Sequence, residues 1–498
     1  MQRRLDVILR RGFYAALLIG VAVAAAAAVA GCGGSSGGGD WPLPNLDLSS
    51  TRAQTGGSLG RSNVGHLHVA WRFRITVAPG PDGAFTATPV VAGGVVFVQD
   101  MKSNVFALDL ATGALRWRHL FSATNPGPDG LAVVGGRVYG GTDASAFALS
   151  AKTGRVIWEH FLVTPVDRFI DIAPQVSGGT VYMSTIGEPP NGRGHLFALD
   201  AATGKLLWKL DTIKGRWRVP AEAGGGGAWY APAVDGNRVY WGIANPLPWG
   251  GTRKRPNGGA FAGPALYTDS LVVVDGTTGK LLWHDQVTPH DVRDYDFEAS
   301  PILGRAGNVK AVFGSGKAGI VIAWDAATHR RLWQNEVGLH RNDKGLLPTR
   351  LVSVCPGLYG GVLTPMAYAD GKLFVPVVDL CMQGSAYGYE PLEKVDVPGR
   401  GRGELVALDA ATGKPVWTRR LARPDFSCAT VANGVVFTGT FDGSLYAFDS
   451  RNGATLWTGS ASARLNSCPS VAGGTLLVGA GVPEKGGVLE LEAFTAAY

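Results

Sequence analysis

The sequence predicts an all-β fold, an eight-bladed β-propeller of four-stranded antiparallel blades, and three observations carry this prediction. An eleven-residue unit of the form Ala-x-Asp-x-x-Thr-Gly-x-x-x-Trp recurs along the chain. Apolar runs interrupted by two-residue turns precede the units, and the 498 residues include 72 glycines but only 17% charged residues. Such runs around Gly-Gly, Asp-Gly or Asn-Gly are typical of β-hairpins, and repeats of this length are typical of propellers.

Each repeat unit predicts a strand, a turn built on Asp and Thr-Gly, and a further strand that ends in tryptophan. Together with the hairpin before it, a unit makes a four-stranded meander. We expect the tryptophans to be structural and to pack between neighbouring blades, where each ring buries about 150–250 Å². The seven units end at Trp117, Trp158, Trp208, Trp283, Trp333, Trp417 and Trp457.

The two ends of the repeat region complement each other. The last hairpin, at 468–478, is followed by a third apolar run near 488–494, but the chain stops before a tryptophan strand. At the other end, an apolar run at 67–73 contains Trp71 and has no hairpin before it. We therefore expect the first strand to complete the last blade and close the ring, which would pair two otherwise open edges.

The N-terminus has the pattern of a bacterial export signal. Arg3, Arg4, Arg10 and Arg11 precede an apolar stretch at 15–30, and a Val-Ala-Gly-Cys sequence follows. A basic head, a short apolar segment and small residues predict a cleaved signal peptide.

The Val-Ala-Gly-Cys ending resembles a lipobox, which implies that Cys32 is lipidated, although a simple cleaved signal is the alternative. We assign 1–31 to the signal peptide, 32–60 to the lipidated cysteine and a flexible linker, and 61–498 to the propeller. The resulting expectation is an exported protein, lipid-anchored to the outer face of a bacterial membrane, in the periplasm or at the cell surface.

Export makes disulfides plausible for the four remaining cysteines, which allow three pairings. Cys428 and Cys468 occupy the same place in successive repeats. This position favours the pairs Cys428–Cys468 and Cys355–Cys381. The formal net charge is +7, and without residues 1–31 it is +4 and spread without basic runs, so nucleic-acid binding is not expected.

Two long insertions indicate where function lies. The spacings from Trp208 to Trp283 and from Trp333 to Trp417 are 75 and 84 residues, against 40–50 for most other repeats. Extra loops of a propeller often carry binding. Directly after Trp283, four acids fall at 291, 294, 296 and 298. They form either a solvated acidic loop or a site for a hard cation such as calcium.

These motifs resemble those of the quinoprotein alcohol dehydrogenases, which use pyrroloquinoline quinone (PQQ) and calcium. The resemblance covers nearly the whole chain from residue 63. It rests on the tryptophan repeat, on Asn-Pro-Leu-Pro-Trp at 245–249, on Gly-Glu at 187–188, on His-Asp-Val-Arg-Asp-Tyr-Asp at 290–296 and on Gly-Lys-Ala-Gly at 316–319.

The resemblance implies a catalytic centre and a calcium site. Asp294 would be the base that takes the hydroxyl proton of the alcohol. Glu188, Asn245 and Asp294 would hold calcium, which polarises the quinone carbonyl. Lys317 would contact the quinone and assist catalysis.

The resemblance also implies cofactor contacts and identifies departures from the family. Trp229 would stack on the quinone, and Thr142 and Arg293 are the further cofactor-binding candidates. Where many members have two adjacent cysteines, this chain has Gln-Asp-Met-Lys at 99–102. An arginine that holds a quinone carboxylate is replaced by Asp129, which is expected to repel that carboxylate.

The sequence therefore predicts an enzyme that oxidises a small alcohol or polyol. Because the chain has no haem-attachment motif, we expect the electrons to pass to a separate acceptor, a cytochrome or a quinone. The alternative is a non-catalytic propeller lipoprotein that acts as a scaffold for protein interactions in the cell envelope. A glycosidase is a weaker alternative, since no carboxylate pair recurs in a recognisable motif.

Overall fold

The computed structural model describes residues 39–75, 84–125, 127–165, 167–188, 192–214, 224–258, 263–391, 394–482 and 487–496. The signal peptide predicted at 1–31 and the lipidated Cys32 lie outside these residues. Among the described residues the helical elements include a 3₁₀ turn, Val64–His66, and one short helix, Val397–Arg400. No helix in this part of the chain is long and apolar enough to cross a membrane.

Four-stranded antiparallel sheets follow one another along the first half of the chain, each a meander of consecutive strands. Their inner strands are apolar and buried. We number them sheet 1 (Val90–Ala92, Val95–Gln99, Val105–Asp109, Leu115–His119), sheet 2 (Ala132–Val134, Arg137–Gly141, Ser145–Ser150, Val156–Phe161), sheet 3 (Gln175–Ser177, Thr180–Thr185, His195–Asp200, Leu206–Asp211) and sheet 4 (Ala233–Asp235, Arg238–Gly242, Ser270–Asp275, Leu281–Gln286).

The second half of the chain repeats this arrangement. Its sheets are sheet 5 (Ile302–Ala306, Val309–Ser315, Ile320–Asp325, Arg331–Glu336), sheet 6 (Ala367–Ala369, Lys372–Asp379, Arg402–Asp409, Pro415–Leu421), sheet 7 (Thr430–Ala432, Val435–Gly439, Ser444–Asp449, Thr455–Ser460) and sheet 8 (Ser470–Ala472, Thr475–Val482, Glu490–Ala496, Leu67–Arg74). The predicted all-β class and four-stranded antiparallel units are confirmed.

Small strands belong to the loops and sheet edges. Gly224–Gly225 pairs with Pro246–Leu247, and Val352–Val354 forms a small sheet with Met382–Ser385 and Gly388–Tyr389. Arg464–Leu465 adds to sheet 8.

The tryptophans of the repeat units join one sheet to the next, as predicted. The indole N–H of Trp158, for example, donates to the carbonyl of Ala201 at 3.1 Å. The glycine of the following unit, Gly204, lies so close that a Cβ there would be 2.5 Å from the Trp158 ring. The same indole-to-carbonyl bond is made by Trp71, Trp117, Trp208, Trp333, Trp417 and Trp457.

One junction is built differently. Trp283 stacks on His329, with ring centroids 4.6 Å apart, because histidine replaces the glycine of the following repeat unit. The Trp283 indole N–H has no hydrogen-bond partner among the described residues. At this junction, ring stacking between Trp283 and His329 replaces the glycine contact and the hydrogen bond that join the other sheets.

The first long strand pairs with the last one. Leu67–Arg74 runs antiparallel to Glu490–Ala496 in sheet 8, and the fully buried Glu492 accepts a 2.7 Å hydrogen bond from Arg72. The two ends of the repeat region are thus in one sheet.

Residues 39–60 do not form a linker, which corrects the assignment of 32–60. Trp41 is fully buried and bridges to Val91, and Ala53–Gln54 pairs in parallel with the first strand of sheet 7. The buried Arg52 donates to the carbonyls of Ala429 and Pro469. The apolar and hydrogen-bonding groups of this segment find partners on the sheets, so its backbone is fixed.

The favoured disulfides are confirmed. The structure pairs Cys355 with Cys381 and Cys428 with Cys468. The first bond links two loops of the second long insertion, and the second bond joins the segments that enter sheets 7 and 8.

Candidate functional site

The acidic segment after Trp283 is buried and alternates in direction. Asp294, Asp296 and Glu298 are 9%, 1% and 6% exposed. Between them, the Tyr295 hydroxyl donates to the carbonyl of Pro356, and Phe297 packs edge-on against Trp324. Lys317 contacts Asp294 and Asp296 and lines the same cavity as Glu298, whereas Tyr295 and Phe297 pack on other elements, so the three acids share one face. The solvated-loop alternative is therefore wrong.

Two glycines let this segment approach the sheets closely. A Cβ at Gly316 would lie 2.1 Å from the carbonyl oxygen of Asp296, and one at Gly242 would lie 2.5 Å from that of Phe297. The glycine before Lys317 is therefore needed to bring sheet 5 against the acids. This contact places the lysine side chain among the carboxylates.

Asn245, Asp294 and Lys317 form one hydrogen-bonded group. Asn245 Nδ2 donates to Asp294 Oδ1 at 2.5 Å, and Lys317 Nζ donates to Asp294 Oδ2 at 2.8 Å. Lys317 Nζ also lies 2.5 Å from Asp296 Oδ2, and the backbone N–H of Asn245 donates to Asp296 Oδ1 at 2.6 Å. The structure thus brings together three residues that are far apart in sequence.

The electrostatics of this group follow from one buried cation among several acids. Burial raises the pKa of Asp294, the Lys317 ammonium lowers it, and the neighbouring Asp296 raises it again. The carboxylates outweigh burial at Lys317 and hold the pKa of its ammonium well above the usual range. A site with more buried carboxyl groups than cations favours a further positive charge.

A cavity of about 500 Å³ lies beside this group. One part of its wall is polar and the other is aromatic and aliphatic. The residues that line it are Thr86, Gly127, Pro128, Trp229, Tyr230, Glu298, Lys317, Tyr359, Leu363, Thr364, Val397, Phe426, Phe441, Asn466 and Val482. Trp229 and Lys317, both candidates from the sequence, are among them.

The cavity fits a planar ligand with oxygen acceptors. The Trp229 indole N–H is buried and has no hydrogen-bond partner in the described part of the chain. Aromatic walls suit a flat ring system, and an unpaired donor suits a carbonyl or carboxylate oxygen.

Glu188 does not join Asn245 and Asp294. Its carboxylate is paired with Arg168 at 3.2 Å, and its side chain is 38% exposed. Glu188 and Asp296 both raise the pKa of the buried Asp171, so both acids interact electrostatically with that carboxyl group. Among the described residues, no three or more His, Cys, Asp or Glu side chains are arranged to hold a metal ion.

Arg293 and Thr142 do not line the cavity. The Arg293 guanidinium donates to the carbonyls of Asn342 and Lys344. The Thr142 hydroxyl accepts hydrogen bonds from the backbone N–H groups of a turn, at Ala144 and Ser145. Their contacts stabilise loops, and the structure does not bring them together with Trp229 and Lys317.

Asp129 is buried behind the cavity wall. It is 2% exposed and accepts a hydrogen bond from Thr86, which lines the cavity. Burial and the nearby Asp100 raise the pKa of Asp129 well above the usual range. A raised pKa favours the neutral form of Asp129, and the expected repulsion of a quinone carboxylate stays a prediction.

Two acidic residues of this region were not assigned a role from the sequence. Glu298 was noted only as one acid of a cluster, yet it lines the cavity. Asp171 was not noted, although an aspartate between two isoleucines, at 170–172, is an unusual signal in a buried run. The aromatic residues Tyr359, Phe426 and Phe441 carry no local signal, because such residues are common in the core of any sheet protein.

A family model matches nearly all of the described chain. The model PQQ_2, described as outer membrane protein assembly factor BamB, matches residues 47–242, 123–356 and 356–495. A quinohemoprotein alcohol dehydrogenase, ADH IIB of Pseudomonas putida, is 32% identical over 297 residues, which cover 53% of this chain and 41% of that protein. The chain spans about two fifths of the length of the curated relatives it matches first.

Solved structures share the fold. The quinohemoprotein alcohol dehydrogenase from Comamonas testosteroni has a TM-score of 0.78 at 23% identity, covering 92% of this chain and 81% of that one. A europium-containing methanol dehydrogenase has a TM-score of 0.76 at 21% identity, covering 92% and 98%. The predicted resemblance to PQQ-dependent alcohol dehydrogenases and their propeller fold is confirmed.

Proposed function

Because the chain belongs to the PQQ_2 family and is similar to quinone-dependent alcohol dehydrogenases, we propose that it oxidises an alcohol or polyol with PQQ and calcium. The electrons would pass to a separate acceptor, a cytochrome or a quinone. The observation that carries the proposal is the convergence of Asn245, Asp294 and Lys317 beside a cavity that Trp229 lines. A scaffold has no need of a buried ammonium held between carboxylates next to an open cavity.

In this mechanism the residues of the chain bind, orient and accept a proton. Asp294 takes the hydroxyl proton of the alcohol, and its carboxylate is oriented by Asn245 and Lys317. Trp229 offers an aromatic face and an indole N–H to the cofactor. PQQ, when bound, accepts the electrons that leave the alcohol.

Asn245 and Asp294 would hold the cation, and Glu188 would join them on leaving its ion pair with Arg168. A divalent cation would offset the excess of buried carboxyl groups and act as a Lewis acid toward the quinone. The exposed pair of Glu188 with Arg168 is a weak competitor, since exposed ion pairs contribute about 0–1 kcal/mol.

The same proposal covers the architecture and location of the protein. Sheets 1–8 would be eight blades of a ring closed by the pairing of Leu67–Arg74 with Glu490–Ala496, which supports closure. Residues 1–31 would direct export, and Cys32 would carry a lipid that anchors the protein to the outer face of a bacterial membrane. The arginines, the apolar segment and the lipobox-like ending support this location.

Reconstitution tests the enzyme. The purified protein is loaded with PQQ and either calcium or europium, the second ion because a structural neighbour is named for it. Reduction of an artificial dye is then followed over a panel of alcohols. We expect turnover, and we expect Asp294→Asn to lower it by at least about a hundredfold with PQQ still bound, as loss of a general base does.

The exposed Asp235→Asn is the matched control and should leave turnover unchanged. Full turnover in Asp294→Asn would show that Asp294 is not the base. Failure of the wild-type protein to bind PQQ with either ion would favour the alternative function, a non-catalytic scaffold. The family model, described as an outer membrane protein assembly factor, is consistent with that alternative.

A further inference from the structure

Glu298 is the one acid of the alternating segment that lines the cavity, together with Lys317 and Trp229. Both carboxylate oxygens of Asp294 and both of Asp296 contact Asn245 or Lys317. No hydrogen bond or ion pair engages the Glu298 carboxyl within the described residues. It is therefore the acid of this segment whose oxygens are left for a ligand.

The surroundings of Glu298 disfavour its ionised form. The side chain is 6% exposed, and burial raises its pKa well above the usual range. Asp296, Asp294 and Asp171 raise it further, and Lys317 lowers it. The phenol of Tyr230, which also lines the cavity, lies near enough to interact with it. Lys317 already contacts two carboxylates, so the surroundings favour the protonated form of Glu298, whose carboxyl O–H is a hydrogen-bond donor.

We infer that Glu298 is a cofactor-binding residue, which donates a hydrogen bond from its carboxyl O–H to a carbonyl or carboxylate oxygen of the quinone. This inference rests on the proposed function and adds a contact that the sequence did not assign. Lys317, Trp229 and Glu298 then offer three donors to one ligand from separate elements: sheet 5, the first long insertion and the acidic segment. A protonated carboxyl group binds an oxygen acceptor without adding negative charge to an anionic ligand.

Equilibrium binding tests this contact without turnover. The full-length protein, free of cofactor and supplied with calcium, is titrated with PQQ, and quenching of tryptophan fluorescence gives Kd at pH 6 and pH 9. The variants are Glu298→Gln, which keeps a neutral donor, and Glu298→Leu, which removes it. Glu336→Gln, an exposed surface change, is the control. Thermal melting verifies that each variant is folded.

We expect Glu298→Leu to weaken binding about tenfold at pH 6, the effect of one lost hydrogen bond to a charged or polar partner. Any ionisation of Glu298 as the pH rises should weaken binding by the wild-type protein. Glu298→Gln should bind as tightly as the wild type at pH 6 and lose less affinity at pH 9.

Four results would contradict the inference. The contact would be contradicted by an unchanged Kd in folded Glu298→Leu. It would also be contradicted by an equal pH dependence of Kd in Glu298→Gln and wild type. Neither result would bear on the proposed function. Normal binding by Glu298→Gln with a turnover loss above about a hundredfold would make Glu298 a proton acceptor instead. Absence of PQQ binding by the wild type would remove both this contact and the proposed function.

Discussion

Asp171 is a carboxyl group that the fold buries completely. Neither of its oxygens has a hydrogen-bond partner among the described residues, and a Cβ at Gly127 would lie 2.0 Å from its own Cβ. Burial raises its pKa well above the usual range, and Asp129, Asp296 and Glu188 raise it further. The folded protein therefore holds the Asp171 proton more tightly than the unfolded chain does.

This difference makes stability depend on pH. A raised pKa in the folded state contributes stability that is fully present below the ordinary carboxyl pKa, about 3.9. That stability is lost as the pH rises toward the raised value, because the unfolded chain ionises first. We expect Asp171→Asn to raise the melting temperature relative to wild type by at least about 2 °C at pH 8, and by less at pH 4.

Melting curves of Asp171→Asn and wild type across this range measure the effect, with the exposed Asp235→Asn as the matched control. A difference between Asp171→Asn and wild type that does not grow with pH would mean that Asp171 is ionised in the folded protein.

At the scale of elements, the junction between consecutive sheets depends on a tryptophan and a glycine from different repeat units. At Gly204 φ is +74° and a Cβ would overlap the Trp158 ring. At Gly178, in a hairpin turn, φ is +57° and nothing lies within 4 Å of the position of a Cβ. The two glycines thus share a left-handed backbone and differ in what a side chain would meet.

The two alanine variants separate backbone strain from packing. Gly178→Ala should cost about 1–2 kcal/mol of unfolding free energy, the strain of a left-handed alanine. Gly204→Ala should cost about 1–3 kcal/mol more, because the Trp158 ring must move. Chemical denaturation measures both values. Equal costs would show that the ring yields freely and that the junction does not depend on close packing.

At the scale of the whole molecule, the strands from the two ends of the repeat region share one core. Leu491 is fully buried, and its hydrophobic cluster includes Trp71 from the first strand, Phe97 from sheet 1 and Leu477 from sheet 8. The cluster therefore connects residues that are about 400 positions apart in the chain. If the sheets form a closed ring, this is where it is joined.

Leu491→Ala tests how much the junction contributes. We expect a loss of about 2–5 kcal/mol of unfolding free energy, as for other buried leucines, together with faster proteolysis within both Leu67–Arg74 and Glu490–Ala496. Leu282→Ala, on an outer strand and 43% exposed, should change stability by less than about 0.5 kcal/mol. Cleavage of one strand without the other would show that the two open independently.

The repeat made the strands, turns and tryptophan junctions predictable, because these depend on local periodicity and turn chemistry. It also favoured Cys428–Cys468, because equivalent positions of adjacent repeats lie close together. The packing of 39–60 was not predictable from the neighbouring glycine-rich tract, since it depends on partners such as Ala429 and Pro469 that are about 400 residues away.

By itself the sequence determined the kind of fold and the residue types available to the site. Only the tertiary structure decided which of them meet: Asn245, Asp294 and Lys317 share hydrogen bonds, Glu188 pairs with Arg168, and Glu298 lines the cavity. The physical reason is the distance along the chain over which each effect acts. Periodicity acts within a few residues, whereas the ionisation and contacts of a buried carboxyl group depend on every charge that the fold places around it.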